Sequence, residues 1–307
     1  MTMNRRGVLL GGMAAGAGLA LAGTYAARQF TGEGLPFLPA SGPEKRLING
    51  IIWQIHEGML EIHGEWELLG ADTLMLQWIV AEGKAYAPGL GVPMVEDAPN
   101  WARVIKEPWA KKVILGLATA MNEPEARRNI AAMVDLSARI AEKPMPFEVS
   151  AYYFPVEADP TWADVGKMGA LLAAAKLPRP LWVSAYDNSN IGAEPFAEWV
   201  ASWLPSDIGL MFQDGVGLHM RTPEGARHYG QVLRKKLGDN RFTMIAEAFR
   251  PADDKGNLRR ATLNEFGPQL LAYHGFEVIV FEGPHYLDRK LTYGLVRDFL
   301  PRVPNGA

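Results

Sequence analysis

The stretch FEVSAYYFPVEADP, residues 147–160, opens as a run of aromatic and β-branched side chains, passes through Pro155 and delivers a carboxylate, Glu157. Such side chains suit a pleated, buried strand. Pro155 has no N–H to give a ladder, so it predicts where sheet pairing ends. RFTMIAEAFRP, residues 241–251, has the same shape, with an apolar run that delivers Glu247 just ahead of Arg250 and Pro251. One charge at a strand exit is ordinary surface chemistry. Two such exits raise a sharper possibility, that both strands belong to one barrel and bring their carboxylates to the same rim.

Outward from these two runs the chain repeats one pattern. Apolar, strand-like segments cover residues 47–56, 72–80, 111–118, 147–155, 180–188, 207–215, 241–249 and 277–283. Between them lie a short amphipathic segment at 58–71, a Gly/Pro-rich loop with a short helix around Trp101, and helical stretches at 123–142, 161–177, 194–204, 222–238 and 261–275. A last one, at 292–300, closes the chain. Thr222 and Gly238 sit where a helix start and stop are expected. The strands are apolar almost throughout, as strands buried on both faces should be. Eight strand–helix units over roughly 250 residues predict an α/β chain folded as a (β/α)8 TIM barrel. A doubly wound open sheet is the alternative, and it lacks the GxGxxG or phosphate loop that such a sheet commonly carries after its first strand.

Composition narrows the chemistry. The 307 residues carry 31 Lys+Arg against 34 Asp+Glu, a formal charge of −3, with no long block of either sign. That gives no electrostatic footprint for nucleic acid. Cysteine is absent, which removes disulfides, thiolate nucleophiles and Cys–zinc sites. No metal or other cofactor is expected, because His56, His219 and His285 lack HxH or HExxH spacing. No Gly-x-Ser-x-Gly elbow supports a serine hydrolase.

Residues 1–30 have the layout of an export signal. Arg5 and Arg6 stand together, a Gly/Ala/Leu-rich run follows from Gly7 to Gly23, and small residues near Ala26 offer a cleavage site. The arginine pair resembles a twin-arginine signal, which implies the twin-arginine export machinery as a partner and a periplasmic or extracellular mature protein. So glycine-rich a run makes a weak membrane span, so no stable span is expected in the mature chain. Residues 31–45 read as a linker and 46–307 as the barrel domain.

In a barrel the chemistry sits at the C-terminal ends of the strands. Those ends supply Trp53 and Gln54 from the first strand, Gln77 and Trp78 from the second, and Tyr153 and Glu157 from the fourth. Tyr186 and Asp187 come from the fifth, Gln213 and Asp214 from the sixth, Glu247 from the seventh, and Glu282 and Tyr286 from the eighth. Carboxylates, amides and aromatics together suit a sugar, whose hydroxyls accept and donate and whose C–H faces stack on rings. Glycoside hydrolysis needs two carboxyls, about 5–5.5 Å apart for retention and roughly 6.5–9.5 Å for inversion. Glu157 and Glu247 are the expected pair, Glu157 protonating the leaving oxygen and Glu247 attacking or stabilising the anomeric carbon. The other rim residues are expected to bind substrate, with Trp53 and Trp78 as stacking platforms. Asp187 or Asp214 in an inverting scheme, and Glu282 in place of Glu247, stay open, as does a buried Glu247–Arg250 ion pair.

The ordered motifs GIIWQIH, LGADTLMLQW, YYFPVEAD, SAYDN, QDGVG and IAEAF resemble an uncharacterised bacterial barrel family related to glycoside hydrolases, over about residues 49–288. The glutamates of strands four and seven are also similar in placement to those of the large retaining-glycosidase clan, although Val156 precedes Glu157 where that clan usually has Asn. The resemblance implies a (β/α)8 barrel acting as an exported glycoside hydrolase on a bacterial surface or secreted polysaccharide. The alternative is a non-catalytic carbohydrate-binding barrel in polysaccharide assembly or export, and a transglycosylase would share the carboxylates.

Overall fold

The computed structural model describes residues 45–304, so the export-signal reading and the linker up to residue 44 lie outside the described residues. Eight parallel strands close into a ring in chain order: β1 (Gly50–Trp53), β2 (Thr73–Leu76), β3 (Lys112–Gly116), β4 (Ala151–Ala158), β5 (Leu181–Ala185), β6 (Ile208–Gln213), β7 (Phe242–Glu247) and β8 (Val278–Phe281). β8 pairs back onto β1, with Gly50 opposite Ile279. The chain is a (β/α)8 TIM barrel.

Strict alternation along the strands builds two apolar layers. Ile52, Met75, Ile114, Ala151, Tyr153, Met211, Ile245 and Ile279 fill the barrel interior. Their neighbours Trp53, Leu76, Leu115, Phe154, Phe212, Ala246 and Val280 face the outer helices and join the larger core. Successive strand side chains point to opposite faces, so each strand contributes to both layers.

The longer helices are α1 (Ile130–Ala141), α2 (Val165–Ala174), α3 (Ala193–Trp203), α4 (Pro223–Leu237), α5 (Leu263–Ala272) and α6 (Arg289–Asp298), and the short helix expected around Trp101 is Trp101–Val104. α4 begins and ends as the sequence predicts. Thr222 accepts from Gly225 N, Pro223 takes the first turn, and Gly238 leaves the helix at φ +92°. The helical stretch expected over 123–142 is instead two pieces, Glu123–Arg128 and α1, parted at Asn129.

Two further expectations change. The segment after β1 forms only a 3-10 turn, Trp66–Leu69. Trp66 and Trp109 pack edge to face at 4.8 Å there, and Trp66 Nε1 donates to Leu287 O at 2.8 Å. Trp66 and Trp109 thus join the outer core beside the first strands, where the chain adds only this turn and the short helix Trp101–Val104. Nor does Pro155 end its strand: β4 continues to Ala158 across a register shift, with Phe154 opposite Val183 and Ala158 opposite Ala185. A proline is tolerated at such an irregularity because no ladder N–H is required of it.

Candidate functional site

Alternation decides which rim residues look into the barrel mouth. Gln54 and Gln77 follow the interior residues Ile52 and Met75 by one full repeat, and Gln213 and Glu247 follow Met211 and Ile245 in the same way. Beyond the shift in β4, Val156 and Ala158 both belong to the outer core, which turns Glu157 between them inward. Of the five acids expected at the rim, Glu157 and Glu247 are the two that occupy inward-facing positions. Both are buried, at 5% and 2% exposed.

Glu247 is held from its loop neighbours. Gly217 N donates to its Oε2 at 2.9 Å. The turn Gln213–Gly217 makes this possible: Gly215 adopts φ +68°, and a Cβ on Gly217 would lie 2.7 Å from Glu247 Cβ and 2.8 Å from Oε2. The glycines of QDGVG therefore serve a tight turn and a close approach.

Asp214 does not line the mouth. It is fully buried in the wall between β6 and β7, and it accepts from Tyr273 Oη at 2.7 Å, Gln269 Nε2 at 2.5 Å, Val216 N at 3.1 Å and Glu247 N at 3.4 Å. Burial first, and the charge of Glu247 second, push its carboxyl up, against the pull of those donors. Gln269 is oriented in turn by Arg250, which donates to its Oε1 at 2.7 Å. Arg250 also donates to the carbonyls of Phe249 and Glu247. Arg250 thus bonds the main chain of Glu247, and the guanidinium reaches Asp214 through Gln269.

Glu282 plays the matching part between β8 and β1. Its Oε1 accepts from Gln54 N at 2.9 Å, past the residues of β1 that pair with β8. Burial pushes its carboxyl up to about 8. Asp187 turns toward the helix layer, where its Oδ2 accepts from Tyr229 Oη at 2.8 Å and Ile191 N at 2.9 Å. Asp187, Asp214 and Glu282 thus bond within the wall and loops and do not share the inward positions of Glu157 and Glu247.

The tryptophans expected as stacking platforms stand away from the mouth as well. Trp53 and Trp78 are fully buried in the outer core. Their indole N–H groups donate to Met59 O and Ile55 O, so neither presents a face to a ligand. Tyr286 likewise belongs to the outer core, packed on Phe249 at 5.4 Å. Tyr153 fills the barrel interior, with its hydroxyl 2.7 Å from Ser184 Oγ. The aromatic that stands inward at a strand end is Phe281, part-exposed at the close of β8. The reading of EVIVFEG passed over it for the acid beside it.

Sequence reasoning also missed a buried ion cluster behind Glu157. Arg127 donates to Glu157 O through Nη2 at 3.0 Å and Nε at 3.3 Å. The same guanidinium pairs with Asp159 at 2.6 Å and with Glu123. Tyr186 Oη donates to Glu123 Oε1 at 2.6 Å, closing the cluster over the ends of β3 and β4. Burial opposes ionisation of Asp159, yet bonds from Thr161 and Arg127 hold its carboxyl below the usual range. Burial first, then the charges of Glu123, Asp159 and Glu157, raise the Tyr186 phenol and keep it protonated. The i,i+4 spacing of Glu123 and Arg127 was the available signal, but it reads equally well as an exposed helix pair.

No protein-family model matches the chain, and neither does any protein of curated function. Among solved structures, the glycoside hydrolase domain of PgaB (BpsB) from Bordetella bronchiseptica is 12% identical with a TM-score of 0.41, over 75% of this chain and 88% of that one. A tamarind chitinase-like lectin is 12% identical with a TM-score of 0.36, over 73% and 88%. Likenesses this distant say nothing of activity, and the barrel stands on its own strand pairing.

Proposed function

We propose that the protein is an exported, glycoside hydrolase-like barrel that acts on a bacterial surface or secreted polysaccharide through two carboxylates. The observation that carries this reading is the inward placement of Glu157 and Glu247 at the ends of β4 and β7, with the other strand-end acids engaged in the wall and helix layer. Glu157 is assigned the proton donor to the glycosidic oxygen. Glu247 attacks the anomeric carbon or stabilises the positive charge that develops there. Gln54, Gln77 and Gln213 hydrogen-bond hydroxyls, and Phe281 offers an apolar face to the ring. Arg127 and Asp214 act on the main chain of the two glutamates and keep them in place.

Export rests on the arginine pair and the glycine-rich run of residues 1–30. Among the described residues no helix is long and apolar enough to cross a membrane.

Turnover of a broad glycan panel by Glu157→Gln and Glu247→Gln tests the pair. Each is expected to lose at least about 100-fold, the lower range for removing a general acid or base, with melting temperature retained. Unchanged turnover in both variants would refute the pair. A wild-type protein that binds glycans and cleaves none would make the barrel a binding protein.

A further inference from the structure

Gln54 and Gln77 end adjacent strands, and the pairing of Trp53 with Leu76 places the two amides side by side on the inward face. They are 1% and 3% exposed. Neither Nε2 nor Oε1 of Gln54 has a hydrogen-bond partner within the protein, and neither does Oε1 of Gln77. Buried amides are almost always bonded, so two adjacent ones left open at the mouth mark a place built for a polar ligand. An amide offers a donor and an acceptor together, which matches a hydroxyl group. The Gln54 main chain is meanwhile pinned by Glu282.

Charge around the mouth restricts that ligand. Arg127 is committed to Glu123, Asp159 and the Glu157 carbonyl. Arg221 spans the carbonyls of Asp187 and Asp214 at 2.6 and 2.8 Å, with its Cζ 4.6 Å from the centroid of the Tyr229 ring. Arg250 is committed to carbonyls and Gln269. These guanidiniums keep their charge but are bonded into the wall and loops, and the groups at the inward positions are neutral amides and two carboxyls. A carboxylate or sulfate on the sugar would meet the Glu247 carboxylate at short range in a poorly solvated site, where repulsion is strong.

We propose that Gln54 and Gln77 form a hydroxyl-binding subsite for a sugar unit that carries no anionic group. This rests on the carbohydrate reading above and narrows its substrate class. The test is calorimetric binding of the full chain, wild type and with Glu157→Gln to prevent cleavage. The probes are cellohexaose, the hexamers of N-acetylglucosamine and glucosamine, and hexagalacturonate. Binding of a neutral or amino-bearing probe at least tenfold tighter than hexagalacturonate is expected. Gln54→Leu and Gln77→Leu should each weaken it about tenfold, the typical loss of one or two hydrogen bonds, with melting not lowered, because the open amide atoms bond nothing in the fold and burying them unpaired is itself a cost. Tighter binding of hexagalacturonate, or no effect of the leucine variants on affinity, would overturn the inference and leave the carbohydrate reading standing. If no probe binds, the carbohydrate reading falls and this inference with it.

Discussion

Replacing Glu282 by Gln is expected to remove a loss of stability that the wild type suffers as pH rises. The carboxyl is buried at the β8–β1 seam, and its titration moves from an ordinary 4.5 to about 8 because burial penalises the charged form more than the Gln54 N–H supports it. The folded state therefore holds this proton more tightly than the unfolded chain does. Stability from this group is fully present below about pH 4.5 and drains away up to about pH 8. At about 1.4 kcal/mol per pH step of one, the drain has a ceiling of about 5 kcal/mol. Glutamine keeps the acceptor for Gln54 N and has no proton to lose. Urea unfolding at pH 4, 6.5, 8 and 9 should show the two proteins nearly alike at pH 4 and the variant more stable by at least about 1 kcal/mol at pH 8 and above. Asp214, pushed up in the same direction, is common to both proteins and cancels in the comparison. Parallel stability profiles would show that Glu282 titrates as a solvated carboxyl, and the seam assignment would be wrong.

Asp214→Asn should destabilise by about 1–3 kcal/mol, because an amide N–H₂ would face the donors Tyr273 Oη and Gln269 Nε2; denaturant midpoints check this. Gly217→Ala forces a Cβ against Glu247 and Phe249; it should cost about 1–3 kcal/mol of stability and lower turnover by displacing the carboxyl, read by melting and kinetics together. Trp53→Phe removes the bond to Met59 O and should lower stability by about 1 kcal/mol while leaving glycan affinity unchanged. A loss of affinity there would restore the stacking role.

Much of this protein was legible before any fold was known. All eight strand segments contain their observed strands or, for β4, its larger part, because each is a local run of β-formers bounded by Gly, Pro and polar residues. Counting them was enough for a closed barrel, and the barrel rule was enough to send attention to Glu157 and Glu247. The orientation of the remaining rim residues was a different matter. Strands buried on both faces read as unbroken apolar runs, so hydrophobicity along them carries no mark of inside or outside. Trp53 and Gln54 are chain neighbours, yet one packs under the outer layer and the other opens into the mouth. Asp214 and Glu247 stand on adjacent strands, yet one braces the wall from behind while the other faces in. Only closing the ring, with its register and its surrounding helices, assigned each side chain a face. The tertiary structure alone brought Arg127 onto the Glu157 carbonyl, because the partners lie 30 residues apart and nothing local joins them.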